Sequence, residues 1–129
     1  MIALGDSASS TIQISPTSKI SIDDWFQADI EIKVNCFSGK INAFFESGDL
    51  TRFYHDVIKL NKTLKGKAEL LPREDQFKLS LIADNLGHII VKGHAYEQAC
   101  YGNCLNFEFE IDQSYLSELI DSLEIHVRI

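Results

Sequence analysis

Cysteines, histidines and closely spaced carboxylates are the side chains here whose chemistry reaches beyond packing. The chain holds three cysteines and four histidines. Cys100 and Cys104 flank Tyr101-Gly102-Asn103, a turn-forming triplet, and Cys36 lies far upstream. A zinc site needs further ligands at suitable spacing, and none stand beside this pair. The thiols therefore read as reduced side chains in or near a core. A Cys100–Cys104 disulfide would form only in an oxidising compartment. His88 and His94 share one strand face, but extended chain holds them about 20 Å apart, too far to bind one metal together. Glu108 and Glu110 share a face, as a glycosidase pair would. Yet their alternation with Phe107 and Phe109 is what any half-wet strand shows. No phosphate loop, nucleophile elbow or dinucleotide fingerprint occurs, and neither Ser114 nor Ser117 has support as a nucleophile. No catalytic residue, metal or cofactor is expected. Trp25, the only tryptophan, follows Asp23-Asp24 and can anchor a partner or plug the end of a core.

Charge points away from the commonest binding classes. The 129 residues carry a formal net charge of −7. From Glu97 to Ile129 seven acidic residues face Arg128 alone, and Asp23, Asp24, Asp29 and Glu31 form a second acidic stretch. A general nucleic-acid binder shows the opposite sign. No apolar run approaches the ~20 residues of a membrane helix. Met1 to Ser10 has neither the basic residue nor the apolar segment of a secretory signal, so a cytoplasmic location is expected. An acidic exterior suits solubility, or docking to a basic partner. For docking, the candidates are Asp23, Asp24, Trp25, Asp29, Glu31, Glu108 and Glu110.

These side chains must be carried by elements that the periodicity reveals. Ser47 to Gly66 reads as one amphipathic helix, with Leu50, Phe53, Val57, Leu60 and Leu64 at helical spacing and Tyr54 and Ile58 widening the stripe. Ser47, Gly48 or Asp49 can cap its start, and Gly66 supplies the stop. Before it, Met1 to Ser10 is expected to be frayed. Short alternation over Thr11–Ser15 and Lys19–Ile22, around Pro16, reads as weak edge strands. Ala28, Ile30, Ile32 and Val34 then alternate with polar residues, Ser38-Gly39 reads as a turn, and Lys40–Glu46 returns as a second strand. After the helix, Lys67–Leu71, Gln76–Ala83, His88–Glu97 and Cys104–Ile111 alternate in turn, joined by short connections. Asp112 can cap a shorter helix whose stripe is Leu116, Leu119, Ile120 and Leu123. Leu123 to Ile129 then alternates as a final short strand, unless the helix runs on. No internal repeat is visible in the sequence.

The expected architecture is one α+β domain over residues 1–129. It has a curved, mostly antiparallel meander of six to eight strands, the long helix on its apolar face and a short C-terminal helix. Several stretches resemble the WapI-type family of bacterial immunity proteins. They are Asp24-Trp25 before an alternating hairpin, Asp49-Leu50 with Phe53, Leu60, Leu64 and Gly66, and Gly87-His88-Ile89 with Val91 and Gly93. The tail Leu105 to Phe109 followed by Asp112-Gln113-Ser114-Tyr115-Leu116 and Leu119 resembles it too, although Ser114 stands where that pattern has threonine. The resemblance implies a small cytoplasmic protein that binds and neutralises a cognate toxin; a non-enzymatic protein acting as a monomer or weak homodimer is expected. It transfers no catalytic motif and locates no interface. A rival reading is a small-ligand or carbohydrate-binding β-domain, with Trp25, Tyr96 and Tyr101 lining a cleft. A hydrolase centred on facing carboxylates is another.

Overall fold

A four-stranded antiparallel meander followed by a helix occurs twice in the computed structural model, which describes residues 1–6, 9–17, 25–72, 74–98 and 101–127. The first meander is β1 (Ile2–Asp6), β2 (Ser10–Pro16), β3 (Trp25–Val34) and β4 (Phe37–Glu46), followed by α1 (Ser47–Thr63). The second is β5 (Lys67–Leu70), β6 (Phe77–Ala83), β7 (His88–Gln98) and β8 (Tyr101–Asp112), followed by α2 (Tyr115–Glu124). The α+β class, the antiparallel strands, the long helix and the short C-terminal helix are as expected. The eight strands form two four-stranded sheets, not one, and the order of elements repeats although the residues do not.

One apolar core serves both halves. Ile12, Ile14, Ile30, Ile32 and Phe45 face it from the first sheet, and Leu79, Leu81, Val91 and Phe107 from the second. The α1 stripe Leu50, Phe53, Val57 and Leu60 is buried in the same cluster, as are Leu116, Leu119 and Leu123 of α2. Three aromatic rings cross from one sheet to the other. Phe26 stacks on Phe45 at 5.5 Å, and Phe45 meets Phe77 edge-on at 6.4 Å. Strand periodicity explains the assignment: in β3 every second residue from Phe26 to Ile32 is buried, so one face is oily and the other wet.

Several local expectations are corrected. The N-terminus is not frayed: β1 pairs with β2 from Ile2↔Ile14 to Asp6↔Ser10, and Ile2 and Leu4 are buried. β2 is therefore an interior strand, with Pro16 at its end where a missing N–H does least harm. The strand expected over Lys19–Ile22 lies outside the described residues. The β3–β4 hairpin turns at Asn35-Cys36, where Asn35 takes a positive φ of 41°. Ser38-Gly39 sits inside β4, opposite Lys33 and Ile32. Helix α1 begins at Ser47 as expected, but its cap is Glu46, one residue before the first expected candidate, and the buried Asp49 carboxylate accepts the Glu46 N–H at 2.9 Å. Leu64, at φ 55°, ends the helix by donating its N–H to the Leu60 carbonyl, and Gly66 follows at φ 83°. β7 runs to Gln98 and β8 begins at Tyr101, so Gly102 and Asn103 belong to β8, beside an irregularity between Tyr96 and Gln98. α2 runs through Leu123 to Glu124 and is followed by a turn, so no strand starts at Leu123. Asp112 accepts the Ser114 N–H at 3.2 Å, but the cap of α2 is Ser114, not Asp112, so that bond closes the turn leading into the helix. No helix among the described residues is long and apolar enough to cross a membrane.

Candidate partner-binding site

The sequence candidates fall on two different sheets. Trp25, Asp29 and Glu31 lie on β3, with Asp29 and Glu31 on the outer face of the first sheet. Glu108 and Glu110 lie exposed on β8, an outermost strand of the second sheet. Asp23 and Asp24 lie outside the described residues. The β3 carboxylates already have neighbours: Asn42 Nδ2 donates to Asp29 at 3.0 Å, and Lys33 Nζ stands 3.6 Å from Glu31. Lys40 is also opposite Glu31 across the sheet. A shallow depression of about 110 Å³ there is lined by Thr11, Gln13, Glu31 and Lys33.

The outer face of the second sheet is a grid that strand register sets. One row runs Glu69–Ser80–Lys92–Glu108, the next Lys67–Ile82–Ile90–Glu110, and a third Lys78–His94–Asn106. A groove of about 380 Å³ crosses it, with Lys78, Ser80, Lys92, His94, Asn106 and Glu108 around Gly93. A Cβ added at Gly93 would stand 1.9 Å from the Lys78 carbonyl oxygen, so β6 and β7 approach there as only glycine permits. Neither Trp25 nor Tyr96 lines this groove. Of the ligand-binding rival's aromatics, Trp25 and Tyr96 belong to different sheets.

Polar side chains on this sheet mostly serve one another. Ser80 Oγ donates to Glu69 at 3.0 Å, and Lys67 Nζ lies 3.2 Å from the same carboxylate. Burial pushes the Glu69 carboxyl up, but the bonds from Lys67 and Ser80, with the charges of Lys67 and Lys78, outweigh it and hold it below the usual range. Asp84 is held low by the backbone N–H groups of His88 and Leu86. Asp112 is held low by the hydroxyl and N–H of Ser114. His94 Nε2 is 3.1 Å from Asp75, a pairing that no sequence spacing announces. His126 is pushed down by burial, then by the Met1 ammonium 3.2 Å away. Among the described residues no three His, Cys, Asp or Glu side chains converge as metal ligands. Cys36 and Cys104 are exposed free thiols, and Cys100 lies outside the described residues.

Between the sheets sits a residue that sequence reasoning placed only as a strand start. Gln76 is buried, and its Nε2 donates to the carbonyls of Asn42, Tyr96 and Glu97 at 3.0, 3.3 and 3.1 Å. It thereby ties β4 to β7. A lone glutamine between a turn and a strand gives no signal of that role.

A model of the immunity protein WapI-like family matches residues 4–128. The chain belongs to that family. Membership supports a role in toxin immunity and agrees with the resemblance in the helix, hairpin and tail residues. No curated protein matches the chain. Among solved structures, a chain of the CdiA-CT/CdiI toxin and immunity complex from Enterobacter cloacae is similar at 9% identity and a TM-score of 0.50, covering 88% of this chain and 99% of that one. A chain of the Trypanosoma bruciei MRP1/MRP2 structures is similar at 10% identity and a TM-score of 0.49, covering 91% and 82%. At 9% identity the first likeness concerns the fold alone.

Proposed function

We propose that this WapI-like protein neutralises a cognate protein toxin by binding it, without catalysis, and that its acidic surface meets a basic face of that toxin. Family membership over residues 4–128 is the observation that carries the reading. The charge layout supports its finer part. Between Lys92 and Arg128 the sequence has no Lys or Arg, while Glu108, Glu110, Glu118, Asp121 and Glu124 are all exposed. Such a field speeds encounter with a positive partner and repels a negative one. The Asp23-Asp24-Trp25 entry to β3, with Asp29 and Glu31 beyond it, supplies a second acidic stretch beside an aromatic anchor. A cytoplasmic site of action, and a monomer or weak homodimer as the acting form, complete the reading.

Co-expression with a candidate toxin, sought first among the products of neighbouring genes, tests this. Cells carrying the folded protein should grow while cells with the toxin alone arrest. Arrest in both, with the protein soluble and cooperatively folded, would overturn the reading.

A further inference from the structure

We infer that β8 is an open pairing edge, which takes up an extended basic segment of a partner protein as a fifth strand of the second sheet. The inference deepens the toxin-binding reading and rests on it. Each sheet has two edge strands whose outward N–H and C=O groups can template another chain. Three of the four are occupied or short. Helix α2 packs along β1, where the Ala3 N–H lies 3.4 Å from Ser122 Oγ. β5 has four residues and lies against α1. β4 is bridged at its middle by Gln76 on the Asn42 carbonyl, with β7 alongside. β8 is different. It runs twelve residues as an outermost strand, and among the described residues no other element hydrogen-bonds its outward backbone.

The side chains of β8 select what can pair there. Asn106, Glu108 and Glu110 stand exposed on one face, and among the described residues neither glutamate has an ion-pair partner. A second copy pairing antiparallel about Phe109 would set Glu108 against Glu110 twice, and like charges directly opposite repel. An acidic strand meets the same obstacle. A strand with Lys or Arg at every second position would place a cation opposite each carboxylate while its backbone completes the ladder. Edge geometry therefore supplies the bonds, and charge chooses the partner.

Full-length protein titrated with synthetic peptides tests this. The probe is a ten-residue, end-blocked peptide alternating lysine and threonine. Its controls are the same peptide N-methylated at alternate amides, and a glutamate–threonine version. Calorimetry at low salt should detect the lysine peptide alone, and amide exchange should slow over residues 104–111. The double variant Glu108→Lys/Glu110→Lys should bind that peptide about tenfold more weakly or worse and accept the glutamate version. Equal binding of the N-methylated peptide, no binding at millimolar peptide, or no slowing along β8 would overturn the inference. The N-methyl comparison needs no variant, so misfolding cannot obscure it. If the wild-type protein protects cells but the peptides fail, the edge is refuted and toxin binding stands. If it fails to protect, the functional reading itself is refuted.

Discussion

In the first meander the outer carboxylates are held and both edges are occupied. Asp29 takes a bond from Asn42, Glu31 stands beside Lys33 and opposite Lys40, α2 lies along β1, and Gln76 reaches the middle of β4. The second meander repeats the strand order and holds its inner carboxylates as firmly, Glu69 above all. Its last strand ends the sheet, with Glu108 and Glu110 exposed along it, Lys92 opposite Glu108 but no ion pair to either among the described residues. Strand order alone therefore does not decide what a sheet can bind. The surroundings of the closing strand decide it: the Asn42 carbonyl of β4 is taken by Gln76, and among the described residues no backbone group pairs with the outward side of β8.

The largest test asks whether the two halves stand independently. Phe53 is fully buried in the shared cluster, so Phe53→Ala should cost about 3–5 kcal/mol by urea melting, in a single transition sensed by both sheets. Phe107, almost as buried, should behave alike when truncated. Two separate transitions would mean that the halves fold apart. A smaller effect is expected at the tie between them. Gln76→Leu strands the carbonyls of Asn42, Tyr96 and Glu97 and should cost about 1–3 kcal/mol, with faster amide exchange in both β4 and β7. Faster exchange in β7 alone would show that β4 does not depend on the bridge.

Acid should lower stability in two steps, both set by groups of the second half. His126 titrates below its ordinary value because the fold disfavours its charged form, so stability is full above about pH 6.5 and declines as pH falls below that. Glu69, Asp84 and Asp112 titrate below theirs because the fold favours their charged forms. Their contribution is present above the ordinary carboxylate range, near pH 4, and is lost as pH falls through it. All three belong to the second half of the chain. Urea midpoints measured from pH 7 to 3 should decline in that sequence, and Glu69→Gln should flatten the lower part. The smallest effects are expected on the outer faces: Glu31→Gln and Glu108→Gln should each change stability by less than about 0.5 kcal/mol.

Much of the fold was legible wherever spacing is local. The α1 stripe and the alternation in β3, β6 and β8 each declare themselves within a few residues, whereas the cap of α2 falls on Ser114, two residues past the expected Asp112. Ser38-Gly39 misled because a glycine need not mark a turn. Here Gly39 sits within β4 opposite Ile32, and a Cβ there would meet Leu105 Cδ2 at an ordinary 3.4 Å, so neither a turn nor a close approach calls for the glycine. β1 was missed because two apolar residues, Ile2 and Leu4, are too few to show a period before a partner strand is known. The candidate acids were legible as charges. Their difference in setting was not, because it depends on which strand ends at an edge and on what lies beside it. Gln76 was silent for the same reason: its three acceptors come from β4 and β7, distant in sequence.

Amide hydrogen exchange, compared for the protein alone and bound to a toxin that it neutralises, is the decisive measurement. Pairing at the β8 edge should add protection over residues 104–111 and none over 37–46. Protection over 25–31 and 37–46 with β8 unchanged would contradict it.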